Sequence, residues 1–428
     1  MASAAEQLAS NMNFGAFARA KDLQKRLLFT LFVLVVYRLG TYVPVPGIDM
    51  SQYSLLFSQQ QTGVLGMVNV FSGGAIERMA VFALNVMPYI SASIIMQLMA
   101  ATVPSLERLK KEGGEAGRKQ INQYSRYLTV VLATAQAFAI AIGMQTPNAD
   151  GGTIAVDPGP FFILTTVVTL VGGTMFLLWL GEQITARGVG NGVSLIIFAG
   201  IIAEIPRALF QALQQGESGA LSGTVIVAMM VGIVAVMLFV VFMERSQRRL
   251  LTQYPKRQVG NRMMGGESSF LPLKLNTAGV IPAIFASSLL LLPATVAGFS
   301  AQSGPEWLRT VVAFLGQGQP GFIILYGLLI VFFTFFYTSI VFNPDDVADN
   351  LKKYGGFLPG IRPGKRTAEY LDFVLSRLTV IGAAYLTLVC VFPEILRMQN
   401  PSIPFYIGGT AILIVVSVTL DTVGQIQS

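Results

Sequence analysis

Ten separate apolar runs punctuate the chain, near 27–45, 79–103, 125–143, 160–182, 193–212, 222–243, 276–298, 320–342, 373–394 and 404–424. At 1.5 Å per residue, roughly 20 residues cover a hydrocarbon core of about 30 Å. Inside lipid a spanning segment has to pair its own backbone groups, which restricts such runs to helices. The spacing therefore predicts an all-α polytopic membrane protein with ten transmembrane helices. With 53% hydrophobic and only 12% charged residues among 428, a soluble globular class is excluded. The chain has no histidine, and its single cysteine, Cys390, lies inside an apolar run, so no disulfide framework or Cys/His metal site is possible. No motif calls for a cofactor. The first run is too long for a signal peptide and no small-residue cleavage site follows it, so it is expected to remain as span 1.

Charge placement sets orientation. All but a handful of the 29 lysines and arginines fall before span 1 or after spans 2, 4, 6 and 8, in alternate connections. By the positive-inside rule both termini are cytoplasmic, and most of the excess over 22 acidic residues is topological rather than a nucleic-acid signal.

Self-comparison reveals a duplication. NVMPYISASI (85–94) aligns with GVIPAIFASS (279–288), matching Pro88 with Pro282 and Ile90 with Ile284; NGVSLII (191–197) aligns with GGTAILI (408–414), matching Ile197 with Ile414. Both matches are offset by five spans. An odd number of spans per unit reverses the second unit in the bilayer, so two inverted five-helix halves are expected, 27–213 and 222–424, after a cytoplasmic segment 1–26. Cytoplasmic loops 245–275 and 343–371 belong to the second half.

The stretch VFSGGAIERMAVFALNVMPYIS (70–91) interrupts this pattern. Residues 64–78 make a helix of roughly 22 Å at most, too short to span. Asn69, Ser72, Gly73, Gly74, Glu77 and Arg78 are costly against lipid, which favours a re-entrant half-helix inside the protein; an interfacial helix on the outer surface fits the same spacing. Span 2 is expected to resume at Met79 and to carry Pro88 within it.

With these residues in hand, the chain resembles the SecY family of protein-conducting channels over nearly its whole length. The motifs are YVPVPGI (42–48), FSGGAIERMAVFALNVMPYISASI (71–94), LGEQITARGVGNGVS (180–194), LNTAGVIPAIFASS (275–288), VFNPDDVADNLKKYG (341–355), GIRPGKRT (360–367) and PFYIGGT (404–410). The resemblance implies an hourglass channel of an inner bacterial membrane that conducts unfolded polypeptides and releases transmembrane segments sideways between spans 2 and 7. It places a plug on 64–78, including Asn69, Phe71, Ser72, Gly73 and Gly74. It places an aliphatic pore ring on Val86, Ile90, Val193, Ile197, Ile284 and Ile414; such a constriction resists water and ions by dewetting. A lateral gate falls on Ser91, Gln136, Asn276 and Phe285, where the polar groups latch the closed state or simply glue static helices. Implied partners are the small subunits SecE and SecG, the SecA ATPase, the ribosome, signal peptides, nascent polypeptides and lipid.

The large basic loops carry Arg248, Arg249, Lys256, Arg257 and Arg362, a platform for RNA phosphates or acidic protein patches, although topology alone would put cations there. Asn343, Pro344, Asp345 and Asp346 open a short helix that Lys352, Lys353 and Gly355 close. GIRPGKRT is one residue short of a Walker A loop and lacks its Ser/Thr after the lysine, so no nucleotide site is expected and the chain is not read as an enzyme. The rival class is an inverted-repeat secondary transporter. Such machines carry ionisable groups at mid-membrane, whereas Arg38, Glu182, Glu204, Arg377 and Asp421 lie towards span ends. An intramembrane protease lacks its histidine or its paired aspartates.

Overall fold

The computed structural model describes residues 21–60, 64–145, 153–217, 223–254, 257–259, 262–264, 268–300, 319–399 and 408–427. Most of the N-terminal segment 1–26 and Lys256 lie outside them. Each apolar run carries a helix: α1 Lys21–Gly40, α4 Met87–Thr102, α6 Gly114–Gln145, α7 Pro160–Arg187, α8 Gly192–Glu217, α9 Gly223–Arg245, α10 Ile281–Ser300, α11 Pro320–Val341, α13 Lys365–Gln399 and α14 Gly409–Gln427. Four shorter helices intervene: α2 Met50–Gln60, α3 Val64–Ser72, α5 Pro104–Glu112 and α12 Pro344–Lys353. Among the described residues, seven helices are long and apolar enough to cross a membrane, or eight if α4 and the start of α5, bent by 100°, form one broken span. Of the other two runs, α1 carries Lys25, Arg26 and Arg38, and the apolar helix α10 opens span 7 at Ile281.

The all-α expectation needs a correction. Within loop 245–275, β1 Gln247–Gln253 pairs antiparallel with β4 Ser268–Lys274, and β2 Arg257–Val259 with β3 Arg262–Met264. Leu250 and Leu273 from this hairpin pack with Leu358, Leu371, Val374 and Leu378 in a small core of their own. A two-stranded ribbon is marginal alone in water; here it is anchored by that core and by a bridge in which Gln253 and Phe357 exchange backbone hydrogen bonds at 2.9 Å. The two basic loops are thus one folded unit.

Two span boundaries also differ from expectation. Span 2 does not resume as helix at Met79: residues 75–86 run in turns, and α4 starts at Met87 with Pro88 in its first turn. Proline lacks an N–H that the first turn does not use and has its φ preset, so it opens this helix instead of interrupting it. Span 7 behaves alike, with turns up to Val280 and Pro282 just inside α10.

Neighbour relations repeat between the halves. In the first, α4 packs on α6, α6 on α7, α7 on α8, and α8 on α1. In the second, α10 packs on α11, α11 on α13, α13 on α14, and α14 on α9. Numbered as spans, both read 2-3-4-5-1. The halves meet where repeat partners touch, α4 on α10 and α8 on α14, and where α10 also packs on α6. In the connections that follow α1, Val45 and Val81 donate to Met79 and Val43, and Asp49 donates its N–H to Ile154. The Asp49 side chain caps α2: it accepts from the Ser51 hydroxyl and N–H, which holds its carboxyl below the usual carboxylate range.

Candidate functional site

Where the halves meet, a cavity of about 590 Å³ is lined by Ile90 of α4, Val193 and Ile197 of α8, and Ile284 of α10. Gln97, Asn122, Arg126, Glu182 and Asn191 line it too. The chamber therefore has a polar wall, where Arg126 pairs with Glu182 at 2.6 Å, and an aliphatic one. Four of the six expected ring residues come together on that aliphatic wall. Val86 and Ile414 are not on it; both are buried in the apolar cluster against which Val193 and Ile284 pack. Helical geometry explains the register on α8, where Val193 and Ile197 stand four residues apart on one face. At each helix start the equivalent carbonyl is engaged early, Ile90 donating to Val86 at 3.1 Å and Ile284 to Val280 at 3.2 Å.

Helix α3 packs against α8 and α10, one from each half. Its nine residues reach only about 14 Å. A helix this short leaves its last carbonyls without internal partners, and burial makes that costly. The structure satisfies each in turn. Asn69 and Val70 accept from Gly74 and Gly73; Phe71 accepts from the Asn85 amide at 2.6 Å; Ser72 accepts from the Tyr37 hydroxyl at 3.1 Å; Gly73 accepts from the Arg38 guanidinium. Asn69, Phe71 and Ser72 are buried. Gly73 has φ +66°, and a Cβ there would meet the Cα of Gly200 in α8 at 2.9 Å, so backbone lies on backbone.

Of the expected gate residues, Ser91, Gln136, Asn276 and Phe285 are all buried. The Asn276 amide donates to Glu244 at 2.8 Å and to the Gly279 carbonyl at 3.0 Å. Phe285 makes edge contacts with Phe333 and Tyr337 of α11. Across the α4–α10 seam the hydroxyl of Ser288 lies 3.9 Å from the Met87 sulfur. That contact is weak.

Arg248 and Arg249 are exposed on β1, and Arg362 is exposed on the adjoining loop. Arg257 lies on β2. Asn343 caps α12 by accepting from the Asp345 N–H at 3.2 Å. The glycine-rich turn 188–192 is a joint, not a phosphate loop: Val189 donates to Thr30 of α1 and Gly190 to Gln425 of α14. Sequence reasoning missed the side-chain clamp of Tyr37, Arg38 and Asn85 on α3, and the pairing of Glu77 with Arg207 of α8. The signal available was the rarity of charge on that side of the chain.

Two helical halves that share a neighbour order, an aliphatic wall at their junction, and a short helix wedged between them define a polytopic membrane channel. The SecY family profile matches residues 80–423. Similar curated proteins include the protein translocase subunit SecY of Rickettsia bellii, 52% identical over 98% of this chain and 96% of its own length. That of Escherichia coli K12 is 51% identical over 95% and 91%. Among solved structures, one described as a protein conducting channel superposes with a TM-score of 0.68 at 18% identity, covering 94% of this chain and 91% of the other. Sec61 in a canine ribosome–channel complex gives 0.63 at 19% over the same shares. The chain belongs to the SecY family, and it is a multi-pass translocation-channel protein.

Proposed function

We propose that this chain is the central subunit of a bacterial inner-membrane protein translocase, with both termini cytoplasmic, conducting unfolded secretory polypeptides through the waist at Val86, Ile90, Val193, Ile197, Ile284 and Ile414. The observation that carries this is the shared wall formed by Ile90, Val193, Ile197 and Ile284 where the two halves meet. Branched aliphatic side chains exclude continuous water from a narrow gap yet move aside for a passing chain. Residues 64–78 act as the plug, and the inverted halves 27–213 and 222–424 hinge apart to displace it. A solved structure of similar fold, TM-score 0.67, is titled for a SecY plug domain that stabilises the closed state and maintains a membrane seal; the same job suits α3 here. The test is site-specific photocrosslinking of a stalled secretory chain: probes at Ile90, Ile197, Ile284 and Ile414 should all capture it, and capture only from lipid-facing positions such as Leu238 or Phe242 would refute the conduit.

Transmembrane segments leave sideways along the α4–α10 seam, past Ser91, Gln136, Asn276 and Phe285. Cysteines replacing Met87 and Ser288 should lock the seam and block membrane insertion under oxidation, with recovery on reduction. The basic hairpin and the Arg362 loop receive the ribosome or the SecA motor, which supplies the energy that this chain lacks a nucleotide motif to provide. SecE and SecG complete the complex.

A further inference from the structure

Three of the five cations outside the basic loops, Arg38, Arg78 and Arg207, converge on the segment that follows α3, together with Glu77 and Glu204. Both carboxylate oxygens of Glu77 take hydrogen bonds from the two terminal nitrogens of Arg207 in α8, a fork-to-fork pair. Arg207 also stands 4.0 Å from Glu204, whose carboxylate is so close to Gly74 that a Cβ there would lie 2.5 Å away. The same Glu77 holds α3: its N–H donates to the Asn69 side-chain oxygen at 3.0 Å, and the Asn69 amide points back at its carboxylate at 3.5 Å. Arg38 and Arg78 both stack over the Tyr42 ring, at 5.0 and 4.2 Å. Glu77 thereby joins α3 to α8 through a charge pair that is part exposed, with side-chain accessibilities of 24% for Glu77 and 41% for Arg207.

We infer that Asn69, Glu77 and Arg207 form a clasp that sets how firmly the blocking helix is held, so that the resting seal depends on a charge pair at the channel's outer side as well as on apolar contact at the waist. The inference rests on reading α3 as the plug. An ordinary surface ion pair contributes little; this one differs because it is bidentate, because Asn69 and Glu204 fix its partners, and because it joins the segment after α3 to α8, a wall of the pore. Its removal shifts the closed–open balance without touching the waist.

The test uses the full-length chain purified in its membrane complex and placed in planar bilayers, with resting ion conductance as the readout. Deleting 64–72 sets the conductance of an unplugged channel. Glu77→Arg and Arg207→Glu should each raise resting conductance about tenfold, and the double exchange should return it to within about twofold of the unchanged protein. Glu77→Gln, which keeps the shape and the Asn69 contact, should raise it about threefold and serves if the reversals fail to assemble. A deletion that stays tight overturns the plug reading itself. A leaking deletion with single exchanges within about twofold of the unchanged protein overturns the clasp and leaves the plug standing; so does leakage of both singles that the double exchange does not repair.

Discussion

Residues 64–86 and residues 246–280 lead into equivalent helices of the two halves, and they are built from different material. The final turn is common to both. Asn85 and Gly279 occupy equivalent repeat positions and both are left-handed, with φ of +49° and +63°. Each donates its N–H three residues back, to Phe82 at 2.9 Å and to Asn276 at 3.4 Å. Each is followed by a valine whose carbonyl starts the helix, then by a proline in the first turn. Upstream of that turn the first half inserts a buried helix held by side-chain hydrogen bonds, whereas the second inserts an exposed basic hairpin. The duplicated part fixes where each helix at the junction begins; under the proposed function the inserted parts carry what each half does alone, blocking in one and docking in the other.

The largest break in this comparison comes from the inserted helix. Gly73→Val forces a branched side chain into the left-handed region and against the Gly200 backbone, a penalty of roughly 2–5 kcal/mol on the docked helix. Resting conductance should approach that of the 64–72 deletion, while the thermal midpoint of the detergent-purified complex should move little because the two five-helix halves are untouched. A large midpoint drop with a tight channel would show that the contact supports the fold instead of the seal.

Next in size is Asn85→Gly. The substitution removes the φ penalty but also the amide that satisfies Phe71, leaving a buried carbonyl unpaired at a cost of about 1–3 kcal/mol. Leakiness intermediate between the unchanged protein and Gly73→Val is the expected reading in the same bilayer assay.

How far each region could be read beforehand follows from the range of the interactions involved. The ten runs, the five-span offset and the cap at Asn343 depend on periodicity and near neighbours, and the helices follow them. Pro88 and its repeat partner Pro282 both read as lying within spans because an apolar run looks the same in turns as in helix; the structure puts both at helix starts. The hairpin escaped notice because QRRLLTQ and SSFLPLK pair across an intervening polar stretch, against a core supplied by Leu371 and Val374 more than a hundred residues away. Resemblance groups Asn276 with Ser91 and Gln136, and packing adds a hydrogen bond to Glu244 that no local pattern shows. Partners for Glu77 and Asn85 lie 130 and 14 residues away in sequence, beyond any local pattern.

A smaller effect separates docking from folding in the second insertion. Arg248→Ala with Arg249→Ala removes exposed charge from β1, away from the inward Leu250 and Thr252, and should leave stability within about 0.5 kcal/mol. If the hairpin meets RNA phosphates, ribosome affinity should fall and the slope of log affinity against log salt should flatten by roughly two. Unchanged binding at every salt concentration would confine these arginines to a topological role.

The finest test returns to the shared turn. At Gly279 a Cβ would have nothing within 4 Å, and asparagine is among the residues that tolerate the left-handed region. Gly279→Asn, which copies the first half's residue into the second, should therefore cost no more than about 0.5 kcal/mol and leave conductance unchanged. Gly279→Val should cost about 1–2 kcal/mol in thermal stability, since the backbone strain is then paid without relief. If asparagine proves as damaging as valine, the equivalence of the two turns fails. If it is silent while Asn85→Gly leaks, the asymmetry between the halves lies in what the Asn85 amide holds and not in the turn that presents it.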